Sequence, residues 1–185
     1  MAGRTVRQVA DRIVELGLTD RATVDKALEP RWLNLSLTEY GGGGAAEIVT
    51  ALLVDLGVGF DVHTDDVEHL TGYTSALTAA AACTGGLFTV TDIALADDDG
   101  QEVLRFRRNG EPVEWPLDHV DDEYLDGMAF AENIDEFTDP DRSPRRWAQP
   151  TVDGELIHYR YIFADPVPLR ELGREFDVEF DVYRE

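Results

Sequence analysis

Leu87 to Leu117 reads LFTVTDIAL, ADDDGQ, EVLRFRR, NG, EPVEWPL, and this stretch decides the fold class. Three runs rich in β-branched and aromatic residues are separated by two turn signals, and Asn109-Gly110 is the dipeptide a type I′ hairpin needs at its two positive-φ positions. Leu104 and Phe106 alternate with Val103, Arg105 and Arg107, while Val113, Trp115 and Leu117 alternate with Glu114 and Pro116. Each strand therefore offers one apolar and one wetter face. Pro112 and Pro116 lack amide donors, which places the third strand at an edge or makes it pair on one side only. The expectation is an antiparallel meander over about residues 87–117.

Outward from the meander, the patterns change from strand to helix without a βαβ rhythm. Toward the N-terminus, Val6, Val9, Ala10, Ile13, Val14 and Leu16 recur at helical spacing and stop at Gly17. A second short helix, capped by Thr19 or Asp20, ends before Pro30, so residues 1–30 read as a helical pair. A DNA-reading helix-turn-helix is disfavoured, because its second helix has only Arg21 and Lys26 against two acids. WLNLSLTEY alternates like a short strand, and Gly41 to Gly44 read as a flexible connector into the apolar helix AAEIVTALLVDL. An anion cradle would need the lysine and hydroxyl of a phosphate loop, which are absent. VGFDV suggests a strand, and HTDDVEHLTGYTSALTAAAACTGG a helical segment that Thr64 could cap and Gly72 could split. Beyond the meander, LDHVDDEYLDGMAFAENIDEF reads as a helix with acids crowding its start. Residues 138–150, with three prolines and no period, read as a surface loop exposing Trp147. GELIHYRYIFAD, PVPLRELGREF and DVEFDVYRE give strand, helix, strand. The predicted fold is α+β, one domain over residues 1–185, with the meander and a C-terminal strand-helix-strand packed against several helices.

Charge dominates the composition: 16 basic against 38 acidic side chains, a net of −22. From Trp32 to Leu104 there are 12 acids and no Lys or Arg; from Asn109 to Asp141 there are again 12 and none. Between them sits the island Arg105, Arg107, Arg108. Nucleic-acid binding is disfavoured, since phosphate neutralisation needs clustered cations. Two explanations of the acidity stand side by side: solubility, including in a salt-rich cytoplasm, or a surface offered to a basic partner. With 43% hydrophobic residues the chain is not disordered, and no run of about 18 apolar residues spans a bilayer. The amphipathic N-terminus reads as a retained helix, not a secretory leader. A single cysteine, Cys83, forms no internal disulfide, pointing to a reducing compartment and a cytoplasmic protein. Scarce Lys with abundant Ala, Val, Gly and Asp suggests a GC-rich genome.

No GxSxG, HExxH, CxxC, dinucleotide fingerprint or phosphate loop is present, so enzymatic activity has no motif behind it. His63 and His69 flank Asp65, Asp66 and Glu68, but a spacing of six does not put two ligands on one helical face, and a solvated helix start is the expectation. Cys83 reads as a small core residue. His119 and then His158 are the candidate acid/base histidines, each weighed against a hydrogen-bonded structural role. No cofactor and no metal is expected.

The run LRFRRNGEPVEWPLDHVDDEYLDGMAFAENIDEF, residues 104–137, is a hairpin whose second strand carries a Trp followed by an acidic helix. It resembles segments of small cytoplasmic immunity proteins of bacterial polymorphic toxin systems. The resemblance implies a protein that binds one cognate toxin domain, often a nuclease, and blocks it. A basic substrate cleft would attract an acidic partner with aromatic anchors. On that expectation the partner-binding residues are Trp115, Asp118, Asp121, Asp122, Glu123, Tyr124 and Asp126. The competing readings are a small hydrolase or nucleotide-handling enzyme using His119 or His158 with nearby carboxylates, and a non-catalytic ligand-binding or structural domain.

Overall fold

The computed structural model describes residues 4–41, 44–64, 68–119 and 124–183. In chain order the elements are α1 (Val6–Glu15), α2 (Arg21–Ala27), α3 (Leu37–Gly41), α4 (Ala45–Asp55), β1 (Gly59–Asp61), α5 (His69–Cys83), β2 (Val90–Asp98), β3 (Gln101–Arg108), β4 (Glu111–Pro116), α6 (Gly127–Asn133) with a 3-10 turn over Ile134–Phe137, β5 (Arg146–Val152), β6 (Glu155–Leu156), β7 (Arg160–Ala164), α7 (Pro166–Phe176) and β8 (Val178–Val182). The architecture is α+β with two antiparallel sheets. By contacts the chain gathers into two compact units: a first of residues 1–59 and 144–185, and a second of residues 60–143. No helix among the described residues is long and apolar enough to cross a membrane.

In the first unit, Thr5 caps α1 through a reciprocal capping box with Gln8, and Asp20 caps α2 by accepting from Thr23 N. The apolar stripe of α1, Val6, Val9, Ala10 and Ile13, joins Leu52 and Leu53 of α4, Ala148 of β5 and Leu169 and Leu172 of α7 in one mostly aliphatic core. β5 is the strand on which β6, β7 and β8 all pair, within a sheet of order β1-β7-β5-β6. Gly59 is required by close approach: a Cβ there would stand 2.4 Å from the Tyr161 carbonyl oxygen. Asp165 caps α7 ahead of Pro166 at the first helical position, and Asp177, in the left-handed conformation, turns the chain straight into β8.

Four expectations are corrected here. The stretch around Trp147 is no loop: it begins β5, with Trp147 fully buried against the Phe163 ring, because pairing with β7 and β8 outweighs its loop-like composition. Leu33, Leu35 and Leu37 form no strand; Leu33 and Leu37 are buried in a turn and in α3. Gly41 is helical and Gly44 caps α4, while residues 42 and 43 of the expected connector lie outside the described residues. The strand through His158 is interrupted, since Tyr159 takes φ +62°, leaving His158 exposed in a turn between β6 and β7.

In the second unit the meander stands as expected, order β2-β3-β4 with the two-proline strand β4 at an edge. Asn109 and Gly110 take φ 53° and 86°, and Asp99 and Gly100 make a second such turn at 54° and 89°. Both hairpins therefore have the tight loops that their register demands, Arg108 opposite Glu111 and Asp98 opposite Gln101. α5 runs unbroken through a buried Gly72; it starts at a Glu68 cap, not at Thr64. Of the helix expected from Asp118 onward, Asp118 and His119 are not helical, residues 120–123 lie outside the described residues, and the Asp126 carboxylate, accepting from Met128 N and Ala129 N, starts α6 at Gly127. Phe60, Tyr73, Phe88, Phe106, Trp115, Phe130 and Phe137 are all buried, and most meet at edge-to-face or stacked geometry.

Candidate functional site

Of the seven residues expected to meet a partner, Trp115 is the clear correction. It is 1% exposed, its ring packed against Phe106, Phe130 and Phe137, so it anchors the core of the second unit and not an interface. Alternation made it inward-facing, opposite Leu104 across the sheet, and the inner face is covered. Asp126 is half-buried and occupied: besides capping α6 it accepts from Asp118 N at 2.9 Å. Asp118 and Tyr124 are exposed, Tyr124 by 48%, and Met128 adds an apolar side chain 57% exposed. Asp121, Asp122 and Glu123 lie outside the described residues.

The arginine island does not face outward as free positive charge. Arg105 pairs with Glu114 at 2.8 Å and with Asp98, Arg107 with Asp92 at 3.2 Å, and Arg108 with Glu136 at 2.7 Å. Arg142, the fourth arginine of the second unit, lies 3.8 Å from Asp139. Counted over the sequence, that unit has 4 bases against 21 acids, a net of −17 in residues 60–143; the first unit has 12 against 17, a net of −5. The negative charge therefore belongs to the inserted stretch, and its cations are already neutralised internally.

The second unit also gathers a polar cluster. His119 Nδ1 lies 2.8 Å from Glu102 Oε2 on β3, and His119 Nε2 lies 2.7 Å from the Tyr73 hydroxyl on α5. Asp126 N donates to that same hydroxyl at 2.8 Å. The phenolic proton is then directed to His119 Nε2, which leaves Nδ1 to carry the ring proton and donate it to Glu102. Leu117 N donates to Glu102 O, holding the segment that carries His119 against β3. The His69 ring, at the start of α5, stacks on His119 with centroids 4.5 Å apart. Its Nε2 is buried and has no hydrogen-bond partner among the described residues, a situation that costs about 1–3 kcal/mol if left uncompensated. The expectation of a solvated helix start at His69 is thus corrected, whereas His63 is exposed.

Carboxylate, imidazole and hydroxyl in line can relay a proton, but the hydroxyl end is unsuited to attack. Tyr73 is fully buried, and burial raises its pKa well above that of a free phenol. The Cys83 thiol, buried at the end of α5, is pushed up to about 12, so it supplies no thiolate at neutral pH. A cavity of about 630 Å³ lies in the first unit, bounded by Arg170, Arg174, Asp177, Glu179 and Phe180; no histidine lines it. What the cluster does offer is three donors for a metal ion: one nitrogen each of His69 and His119 and a Glu102 oxygen, all within 4.8 Å of one another. Sequence reasoning missed it because its members sit on three separate elements, with no local spacing to betray them. Comparison with protein-family models, curated proteins and solved structures finds nothing that matches this chain.

Proposed function

We propose that the protein is an acidic binding protein whose inserted unit engages a basic macromolecule, in the manner of an immunity protein that covers the cationic cleft of a cognate toxin or nuclease domain. The observation that carries this reading is the partition of charge: −17 in residues 60–143, with all four arginines of that stretch paired to its own carboxylates. Solubility alone asks for no such partition. A field of one sign concentrated on part of a molecule steers an oppositely charged partner and raises the association rate. Asp118, Tyr124 and Met128 supply an exposed acid, an aromatic and a flexible apolar side chain close together in the chain, the residue types suited to a rim and its anchors.

The test is co-expression with the product of the adjacent upstream reading frame, followed by association kinetics of the purified pair. Relief of that product's toxicity and an on-rate that falls steeply with salt are expected. Asp118→Lys, Asp121→Lys, Asp122→Lys and Glu123→Lys together should slow association about tenfold or more at low salt and flatten its salt dependence. Asp25→Lys, Glu47→Lys, Glu155→Lys and Glu179→Lys, the same number of reversals in the first unit, should change it less. An on-rate indifferent to ionic strength, or a toxic product that the protein leaves active, ends the proposal.

A further inference from the structure

We infer that His69, Glu102 and His119 form a binding site for one divalent metal ion of the zinc class. The inference is independent of any partner, since it rests on the interior geometry of the second unit alone. Two imidazoles and one carboxylate are the donor set of borderline first-row ions; magnesium and calcium prefer all-oxygen shells. The three donor atoms already lie within 4.8 Å of one another, His119 Nδ1 and Glu102 Oε2 at 2.8 Å, so small shifts of the side chains bring them to the spacing of ligands around a single ion. His69 Nε2 supplies an independent sign: a buried ring nitrogen, unpartnered among the described residues, beside a second imidazole and a carboxylate. The His69 and His119 rings stack at 27°, with that nitrogen beside the Glu102 carboxylate and the second imidazole.

The surroundings complete a metal site. The outer nitrogen of His119 is held at 2.7 Å by the Tyr73 hydroxyl, itself fixed by Asp126 N and backed by the Phe130 ring. A hydrogen bond behind a ligating histidine fixes the ring's orientation and tightens the site, and here the ring must exchange its tautomer before Nδ1 can ligate. On binding, the ring proton moves from Nδ1 to Nε2, so the Tyr73 hydroxyl turns its own hydrogen away from the ring and accepts from Nε2 instead of donating to it. His119 is 11% exposed and Glu102 40%, so the carboxylate side is the route by which an ion enters. The ion would tie the start of α5, the start of β3 and the segment after β4 into one cross-link.

Isothermal titration of the full chain with Zn2+ in excess Mg2+ tests this, the Mg2+ occupying the exposed carboxylates of so acidic a surface. One saturable equivalent is expected, together with a rise in the unfolding temperature and, on Co2+ substitution, the intense visible bands of four-coordinate nitrogen–oxygen ligation. His69→Phe keeps a ring on His119 but removes the nitrogen, and Glu102→Gln keeps the shape but removes the charge. Each should weaken Zn2+ by about 100-fold or more, beyond the 10–100-fold of an outer contact, and abolish the Co2+ bands. Circular dichroism and unfolding in chelator establish that each variant is folded, and either folded variant suffices. No saturable equivalent in the wild type, or the same equivalent retained with unchanged affinity in a folded variant, overturns the site.

Discussion

The two units of this chain solve different problems. The first, with a net charge of −5, is built on a sheet and amphipathic helices around Val, Leu and Ile side chains, and buries five aromatic rings: Trp147, Tyr161, Phe163, Phe176 and Phe180. The second packs −17 into fewer residues and buries seven aromatic rings, among them Trp115, Phe130 and Phe137. Like charge at that density opposes compaction, and large ring surfaces, each burying about 150–250 Å², are a dense way to counter it. The arginine island belongs to the same solution. Arg105 sits between Asp98 and Glu114 on the wet face of the meander, so the few cations of the unit hold the sheet together across strands. The lesson is that the Trp which first suggests an interface is committed to the interior of the acidic unit.

The sharpest way to break this contrast is Trp115→Ala. Loss of a fully buried ring from the centre of the second unit should destabilise it by about 3–5 kcal/mol in urea unfolding, with the lost protection in hydrogen exchange concentrated in residues 60–143. A loss below about 1 kcal/mol would mean that the rings are not what holds the acidic unit. Smaller is the effect of salt. Raising ionic strength shortens the Debye length from about 10 Å at 0.1 M toward 3 Å at 1 M. Amide protection in the second unit should then increase by something on the order of 1 kcal/mol, and that in the first unit by less. Equal gains in both units would show that the charge partition has no energetic consequence.

The smallest effect belongs to the first unit. Arg12 of α1 pairs with Glu171 and Glu175 of α7, and Arg4 reaches Glu175 as well, so hydrogen bonds from Arg12 hold the Glu175 carboxyl below its ordinary range. A carboxyl whose folded pKa is depressed contributes stability that is full above its unfolded value and disappears as pH falls through the folded one. Glu175→Gln should therefore cost no more than about 1 kcal/mol at pH 7, the range for partly exposed pairs. The gap between variant and wild type should close on acidification below about pH 4. A cost independent of pH would assign the residue a packing role instead of an electrostatic one.

Much of what the residues announce locally holds. Asn109-Gly110 and the two-residue alternation define the β3-β4 hairpin, and Pro112 with Pro116 send β4 to the edge. Gly17 and Gly57 end α1 and α4 at positive φ, and Asp165-Pro166 begins α7. Misreadings arise both from local backbone choices, as at Leu33 to Leu37 and Gly41, and from partners distant in sequence. Trp147 looks like part of a proline-rich loop until β7 and β8 pair with it, and Asp118 and His119 look helical until α6 starts at the Asp126 cap. Tyr159, at φ +62°, breaks a stretch whose composition is wholly strand-like.

The sequence by itself determined the α+β class, the meander with its turn chemistry, the N-terminal helical pair and the concentration of acid, because those are properties of neighbouring residues and of sums. Only the tertiary structure decided which side of the meander is covered, and with it that Trp115 is core. Tertiary packing likewise decided that the arginines meet their own acids, and that His69, Glu102 and His119 converge. Those outcomes depend on contacts between residues far apart in the chain, which composition and periodicity do not encode and which exist only once the sheets and helices have packed.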